Sequence, residues 1–376
     1  MFGLYIHVPF CRRKCPYCDF YSLPAADQAL AAYPELLCRH LELTAEEAWP
    51  GPVGTVFFGG GTPSLLAPAA IGTVLAAIDR HIGLAAGAEI SLEANPGTVT
   101  PERLAGYRAA GVNRLSLGVQ SLDPGQLRTL GRLHDVSAGV QAVRWARQAG
   151  IASLSLDLIF ALPGQTLANV ADELVGFLAL EPDHLSCYGL SAEPDTPFHH
   201  QLQCGELQLP DDGFYADTFL LLHERLQQHG FHHYEIANYA RPGHACRHNL
   251  GYWQRRPYLG IGAGAHSFVD RGWGERLAVP ANLGAYRAAL HDHQQPARRL
   301  ESFDRRGAMS ETLYLGLRTA QGVDDVAFAS RFGCSVAAAF PAAVRRLGDY
   351  LQGEGGQWRL SLDGWLLYDH LIQEFL

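Results

Sequence analysis

From residue 4 onward, short apolar or β-branched runs alternate with longer stretches in which apolar residues return every three or four positions. The runs "LYIHVPF" (4–10), "TVFFGG" (55–60), "EISLEANP" (89–96), "RLSLGVQS" (114–121), "SLSLDLIFALP" (153–163) and "HLSCYGLS" (184–191) read as strands. Helical periodicity runs from Asp27 to Ala48, Pro68 to Ile82, Thr100 to Ala110, Ser137 to Gln148 and Thr166 to Leu180. A further helix over residues 211–230 follows the sixth strand. Thr100-Pro101-Glu102 is helix-start chemistry, and Gly111, Gly150 and Gly230 are stops. Six strand-then-helix units predict an α/β fold with a parallel sheet and helices outside it. Six units, where a closed barrel has eight, predict an incomplete (β/α)6 barrel; an open doubly wound sheet would give a similar pattern.

The polar residues of these apolar strands gather toward their C-terminal ends: Cys11, Gly59 to Thr62, Glu93 and Asn95, Gln120, Asp157, Tyr188 and Ser191. In a parallel barrel that rim is where the loops converge and ligands bind. Residues 231–275 are rich in Gly, His and aromatics, and helical periodicity resumes from Phe303. The expected organisation is a barrel domain over 1–275, a linker over 276–294 and a small, mainly helical C-terminal domain over 295–376. The final segment reads as a short strand, a turn at Asp363-Gly364 and a helix.

Composition narrows the partners. With 29 basic and 38 acidic residues the net charge is −9, and the basic residues are mostly scattered arginines. A polyanion needs clustered cations, so nucleic acid is not expected as a partner. No apolar run approaches the ~20 residues that span a bilayer. The chain enters a strand pattern at once, leaving no room for a signal peptide, so a cytoplasmic location is expected. In that compartment thiols stay reduced, and the eight cysteines read as metal ligands or buried apolar residues.

Three of those cysteines fall within "CRRKCPYC" as Cys11, Cys15 and Cys18, a C-x3-C-x2-C spacing. Three thiolates in one loop can ligate zinc or an iron–sulfur cluster. Structural zinc wants a fourth ligand, and no second knuckle is evident. A cubane held by three cysteines leaves one iron open to a ligand that is not protein. Tyr17 and Phe20 would shield such a cluster from water.

"YIHVPFCRRKCPYC" closely resembles the opening motif of the radical S-adenosylmethionine (radical SAM) superfamily, in its coproporphyrinogen dehydrogenase-like branch. The resemblance implies a 4Fe–4S cluster whose open iron is chelated by S-adenosylmethionine (SAM). It further implies that Gly60, Gly61 and Thr62 of "FFGGGTPS" run along the methionine end of SAM, and that Glu93 holds its ribose. A carboxylate suits that task because it accepts from two hydroxyls. Gln120, Arg132 and Asp157 match positions that bind a second SAM in the dehydrogenases, and Tyr5 matches an aromatic residue beside the first.

Two features divide the family. The dehydrogenases carry a fourth cysteine where this sequence has Phe20, and they have a longer N-terminal lead-in. "CRHNLGYWQ" contains H-N-x-x-Y-W as His248, Asn249, Tyr252 and Trp253, which resembles the motif of the HemW-type haem chaperones. There it is associated with haem binding, and His is a good axial ligand for haem iron; His244 and Cys246 are the nearest competitors. The pairs His199-His200 and His232-His233 read as polar loop residues. The resemblance implies a haem-binding chaperone that delivers haem to acceptor proteins and forms a cluster-dependent homodimer. The alternative is an oxygen-independent coproporphyrinogen III dehydrogenase. A tRNA-modifying enzyme fits less well, given the net charge.

Overall fold

The computed structural model describes residues 2–44 and 49–376. The six expected strands form as β1 (Phe2–Val8), β2 (Val53–Gly60), β3 (Leu84–Ala94), β4 (Arg114–Gln120), β5 (Ser153–Phe160) and β6 (His184–Gly189), parallel neighbours in chain order. The connecting helices are α1 (Asp27–Thr44), α2 (Pro68–His81), α3 (Pro101–Ala110), α4 (Val136–Gln148) and α5 (Leu167–Leu178), with α6 (Asp212–Gln228) after β6. The last turn expected for the first helix, ending at Ala48, lies outside the described residues.

Side chains two apart on a strand share a face, and the two faces differ sharply in polarity. Leu4, Ile6, Val56, Phe58, Leu92, Leu115, Leu117, Leu154, Leu156 and Leu185 are all fully buried in the main core. The alternate positions are Tyr5, Phe57, Glu93, Ser116, Asp157 and Ser186, joined by strand register as Tyr5–Phe57, Glu93–Ser116 and Asp157–Ser186. An apolar face toward the helices and a polar, aromatic face inward is what a barrel that holds a polar ligand requires. The strand order does not close on itself, so the barrel is incomplete.

The stretch after residue 231 departs from the expectation. It extends the sheet at both edges, into twelve strands. At one edge β8 (Asn238–Ala240) pairs antiparallel with β6, and β7 (His232–Glu235) pairs antiparallel with β8. At the other, β9 (Tyr258–Ile261) pairs parallel with β1, followed antiparallel by β10 (His266–Val269), β11 (Glu275–Ala278) and β12 (Arg298–Ser302). These strands of three to five residues are too short to display a period. At Gly260 a Cβ would meet the His266 carbonyl oxygen at 1.9 Å, so the close pairing there needs glycine.

Between β8 and β9 lies α7 (Arg247–Trp253), packed against β1 and β2. The segment expected to link the domains, 276–294, instead contains α8 (Leu283–His291), capped by Asn282, whose side chain accepts from Ala285 N at 2.8 Å. Tyr286 and Leu290 of α8 are fully buried in the barrel's own core. A helix with only two buried positions offers little amphipathic signal in sequence.

A second core draws on Ala308 to Phe375 and takes in Phe219 from α6. It is mainly helical, as expected, around a three-stranded sheet whose central strand is Gln357–Leu360. Asp363-Gly364 does not form the expected turn: the residues lie inside helix Leu362–Leu366, whose start is capped by Ser361 accepting from Gly364 N at 3.1 Å. Helix α9 (Arg305–Gly316) ties the two cores together. Its Glu311 carboxylate takes Arg255 Nε at 2.5 Å and Arg276 Nε at 3.0 Å, with Glu311 only 8% exposed.

Candidate functional site: a cysteine-lined cavity

At the C-terminal ends of the strands lies a cavity of about 580 Å³. Cys11, Cys15 and Cys18 line it together with Tyr17. So do Gly60, Gly61, Thr62 and Glu93, and on the far wall Gln120, Arg132 and Asp157. Eleven of the residues singled out from sequence thus share one space. Phe20 stands at its mouth, 63% exposed.

The loops are held by a web of side-chain bonds. Thr62 donates toward Cys11 Sγ at 3.5 Å and accepts from Asn95 Nδ2 at 3.1 Å. Arg132 reaches Cys15 Sγ and the Tyr17 hydroxyl, both at 3.5 Å, donates to Gly118 O at 2.7 Å, and bonds the Asn95 side-chain oxygen. Gly60 N donates to Glu93 Oε2 at 3.3 Å, and Ser116 donates to Asp157 Oδ1 at 3.1 Å. Gln120 takes a left-handed backbone, φ 69°, where the β4–β5 register slips. Such strain in a non-glycine residue at a bulge re-aims a side chain and concentrates at functional sites.

The glycines also have a packing reason that the sequence does not show. A Cβ at Gly60 would meet the His7 ring at 2.6 Å, and one at Gly61 would meet Phe10 O at 2.7 Å. They are required by the packing of the β2 loop on β1 and the cysteine loop, and Gly60 also needs its positive φ of 109°.

Two carboxyls face each other across the cavity floor. Burial, and then the neighbouring Asp157, push Glu93 up to about 8, against the lowering effect of the Gly60 N–H. Burial pushes Asp157 up to about 6, opposed by bonds from Ser116 and Ser186 and by Arg132 and Arg114. Burial also raises the Cys18 thiol, with Cys15 and Cys11 adding to the effect.

The donor set fits the implied cofactors. All eight cysteines are free, and the three in the loop are half-buried, with hydrogen-bond donors at two of the sulfurs. Among the described residues no three His, Cys, Asp or Glu side chains converge on a single-ion site; the thiols line the cavity wall. Glu93 has one backbone donor for two oxygens that can accept about four bonds, which leaves room for a diol. The buried Arg132 Nε has no partner among the described residues, as expected where a polar ligand completes a site. Arg12, Arg13 and Lys14 also line the cavity. Their signal was present in the sequence as three consecutive cations between two cysteines, the charge an anionic cluster calls for.

Two expected residues lie elsewhere. Tyr5 is packed beneath the cavity, its hydroxyl 3.0 Å from His7 Nδ1. His248 sits at the opposite end of the strands, on α7, 3% exposed. Its Nδ1 is 2.9 Å from Thr55 Oγ1, its Nε2 is 2.7 Å from the Tyr252 hydroxyl, and its ring stacks on Phe57 at 5.2 Å. Burial lowers its pKa to about 3. Glu89 holds the start of α7 by accepting from Arg247 N and His248 N, each at 3.0 Å. In this conformation neither ring nitrogen of His248 is open to an iron, and the adjoining cavity measures about 10 Å³. The competitors are engaged too: His244 Nδ1 bonds Ser153 Oγ at 3.1 Å, and Cys246 Sγ lies 3.7 Å from Glu89. His199 and His200 lie in helix Pro197–Gln203, and His233 is a core residue stacked 4.0 Å from Tyr239; neither pair is in a loop.

Comparison with known proteins adds a second line. Residues 5–174 match the radical SAM superfamily and residues 303–367 match the HemN C-terminal domain. The chain is 42% identical over 330 residues to the heme chaperone HemW of Synechocystis sp., covering 85% of this chain and 78% of that one. It is 35% identical to the heme chaperone HemW of Escherichia coli, covering 100% of this chain and 98% of that one. The solved structure of coproporphyrinogen III oxidase (HemN) from Escherichia coli superposes with a TM-score of 0.85 at 23% identity, over 100% of this chain and 89% of that one, a likeness of fold.

Proposed function

The chain belongs to the HemW family of radical SAM proteins, and from that premise we propose that it binds haem and delivers it to acceptor proteins. It holds a 4Fe–4S cluster on Cys11, Cys15 and Cys18, with SAM beside it. Bound together, those groups supply one-electron chemistry. The protein's part is to orient them: Arg132 and Thr62 present donors to the sulfurs, and Glu93 accepts the ribose hydroxyls as Gly60, Gly61 and Thr62 pass the methionine end. Gln120 and Asp157 close the far wall, where a second SAM fits, Tyr17 supplies apolar cover, and Tyr5 supports the site from beneath the cavity.

The observation that carries the reading is similarity to haem chaperones along the entire chain. Phe20, where the dehydrogenases carry a fourth cysteine, agrees with it. No helix among the described residues is long and apolar enough to cross a membrane, and the eight free thiols suit a reducing cytoplasm. A homodimer that depends on the cluster is part of the proposal, checked by gel filtration with and without iron.

The test is an anaerobic haem titration followed at the Soret band, then transfer to an apo-haem protein. Saturable binding and transfer are expected; no saturable binding overturns the reading. The dehydrogenase reading keeps one observation in its favour, the shared cavity of Glu93, Gln120, Arg132 and Asp157. SAM-dependent conversion of coproporphyrinogen III to protoporphyrinogen would favour it.

A further inference from the structure

We propose that a crevice between the β6 edge of the barrel and the C-terminal domain binds a free α-amino acid with a large apolar side chain, its carboxylate on Arg318 and its ammonium on Asp369. The site goes beyond the haem-binding reading above and does not rest on it. The crevice holds about 460 Å³, within the roughly 300–1,000 Å³ usual for small-molecule sites. Its walls include Phe160 at the end of β5, Tyr215 on α6, and Trp365 and Tyr368 from the C-terminal domain. The Phe160 and Tyr215 rings lie 5.0 Å apart. Tyr215 can lie across the end of β6 because Gly189 has no Cβ to meet its ring. Tyr215 is 39% exposed and Leu367 44%, so apolar surface from both domains is left open at one place. Adjacent exposed side chains of this size mark a site that something covers.

Two opposite charges in the crevice lack partners. The Arg318 guanidinium lies 5.1 Å from the Tyr368 ring and 4.7 Å from the Trp253 ring. Held between those rings, it keeps a buried Nε with no acceptor, which is expected where a ligand completes a site. A fixed guanidinium with an unused N–H is matched to a carboxylate. The buried Glu235 senses Arg318 but forms no ion pair with it, and burial pushes that carboxyl up toward its neutral form. Asp369, in the helix Tyr368–Leu371, is exposed and lines the crevice. Its carboxylate has no hydrogen-bond or ion-pair partner among the described residues. A free carboxylate beside aromatic rings suits an ammonium group.

The two charges converge on the same place. Burial raises the Tyr215 hydroxyl, with Asp369 adding to the effect and Arg318 opposing it. Burial also raises Tyr368, with Arg318 opposing and Asp369 adding. An anion alone would be set against Asp369, and an apolar molecule would leave the Arg318 Nε without an acceptor. A zwitterion with an apolar side chain satisfies both charges and covers the rings. Tyr188 and Gly189 line both the crevice and the cysteine-lined cavity, so the occupant lies across one strand end from the cofactor site.

L-Tryptophan and L-phenylalanine are titrated calorimetrically into the full, reconstituted chain with SAM at saturation. Two analogues of the first are run beside them: indole-3-propionate, which lacks the ammonium, and L-tryptophanamide, which lacks the carboxylate. Saturable binding of at least one amino acid is expected, with both analogues at least tenfold weaker than L-tryptophan. Asp369→Asn, at an exposed position, should weaken the amino acid at least tenfold and leave indole-3-propionate near wild type. Arg318→Gln should weaken indole-3-propionate and leave L-tryptophanamide near wild type; iron and sulfide content checks that each variant is folded. No saturable binding by the wild type in the presence of SAM overturns the assignment, as does unchanged amino-acid affinity in Asp369→Asn.

Discussion

Glu93→Gln is expected to stabilise the cofactor-free protein at alkaline pH while abolishing its response to SAM. The Glu93 carboxyl is raised from its usual value near 4.5 to about 8, first by burial and then by Asp157. A raised carboxyl binds its proton more tightly folded than unfolded, so its contribution to stability is full below pH 4.5 and is lost as pH rises through 8. At about 1.4 kcal/mol per unit the full swing is about 5 kcal/mol, and water entering the cavity mouth reduces it to about 2 kcal/mol. Glutamine keeps the volume and has no proton to lose. Wild type and variant should therefore melt together near pH 5, and the variant should melt about 3 °C higher at pH 8.5. Calorimetry of cluster-free protein at the two pH values reads this directly. A gap that is the same at both would refute the argument that Glu93 is a buried, destabilised charge awaiting a partner. Glutamine also replaces one of the two acceptors offered to a diol with a donor, so SAM should raise the melting temperature of the reconstituted wild type only.

Serine at Cys11, Cys15 or Cys18 should each reduce reconstituted iron and acid-labile sulfide to background, while serine at the exposed Cys204 leaves both unchanged; retained cluster in any of the first three would refute the ligand assignment. Glu311→Gln strips the compensating charge from Arg255 and Arg276 and should cost about 3–5 kcal/mol, seen as faster proteolysis within the second core. His248→Ala removes bonds of 2.9 and 2.7 Å and a ring stack at the base of the barrel. It should lower unfolding stability by about 2–4 kcal/mol in urea, and a loss below about 1 kcal/mol would refute a locking role. Because burial holds His248 neutral down to about pH 3, the stability it contributes is present above 6.5 and lost as pH falls toward 3. The wild-type to His248→Ala gap should therefore narrow in acid.

The legible and illegible parts of this chain differ by the length over which a pattern repeats. Each of β1 to β6 carries at least six residues, and polar residues or glycines stand at or near the C-terminal ends, so strands, helices and rim could all be read. Cys11, Cys15 and Cys18 were legible because spacing along one loop largely determines spacing in space. The strands after residue 231 and the helix over 283–291 were not, since three to five residues, or two buried positions, fall below what periodicity resolves. His248 was misleading for a related reason: motif chemistry names a good ligand, but says nothing of what packs against it. Thr55 and Phe57 precede His248 by nearly two hundred positions, and the register of β2 sets them against α7.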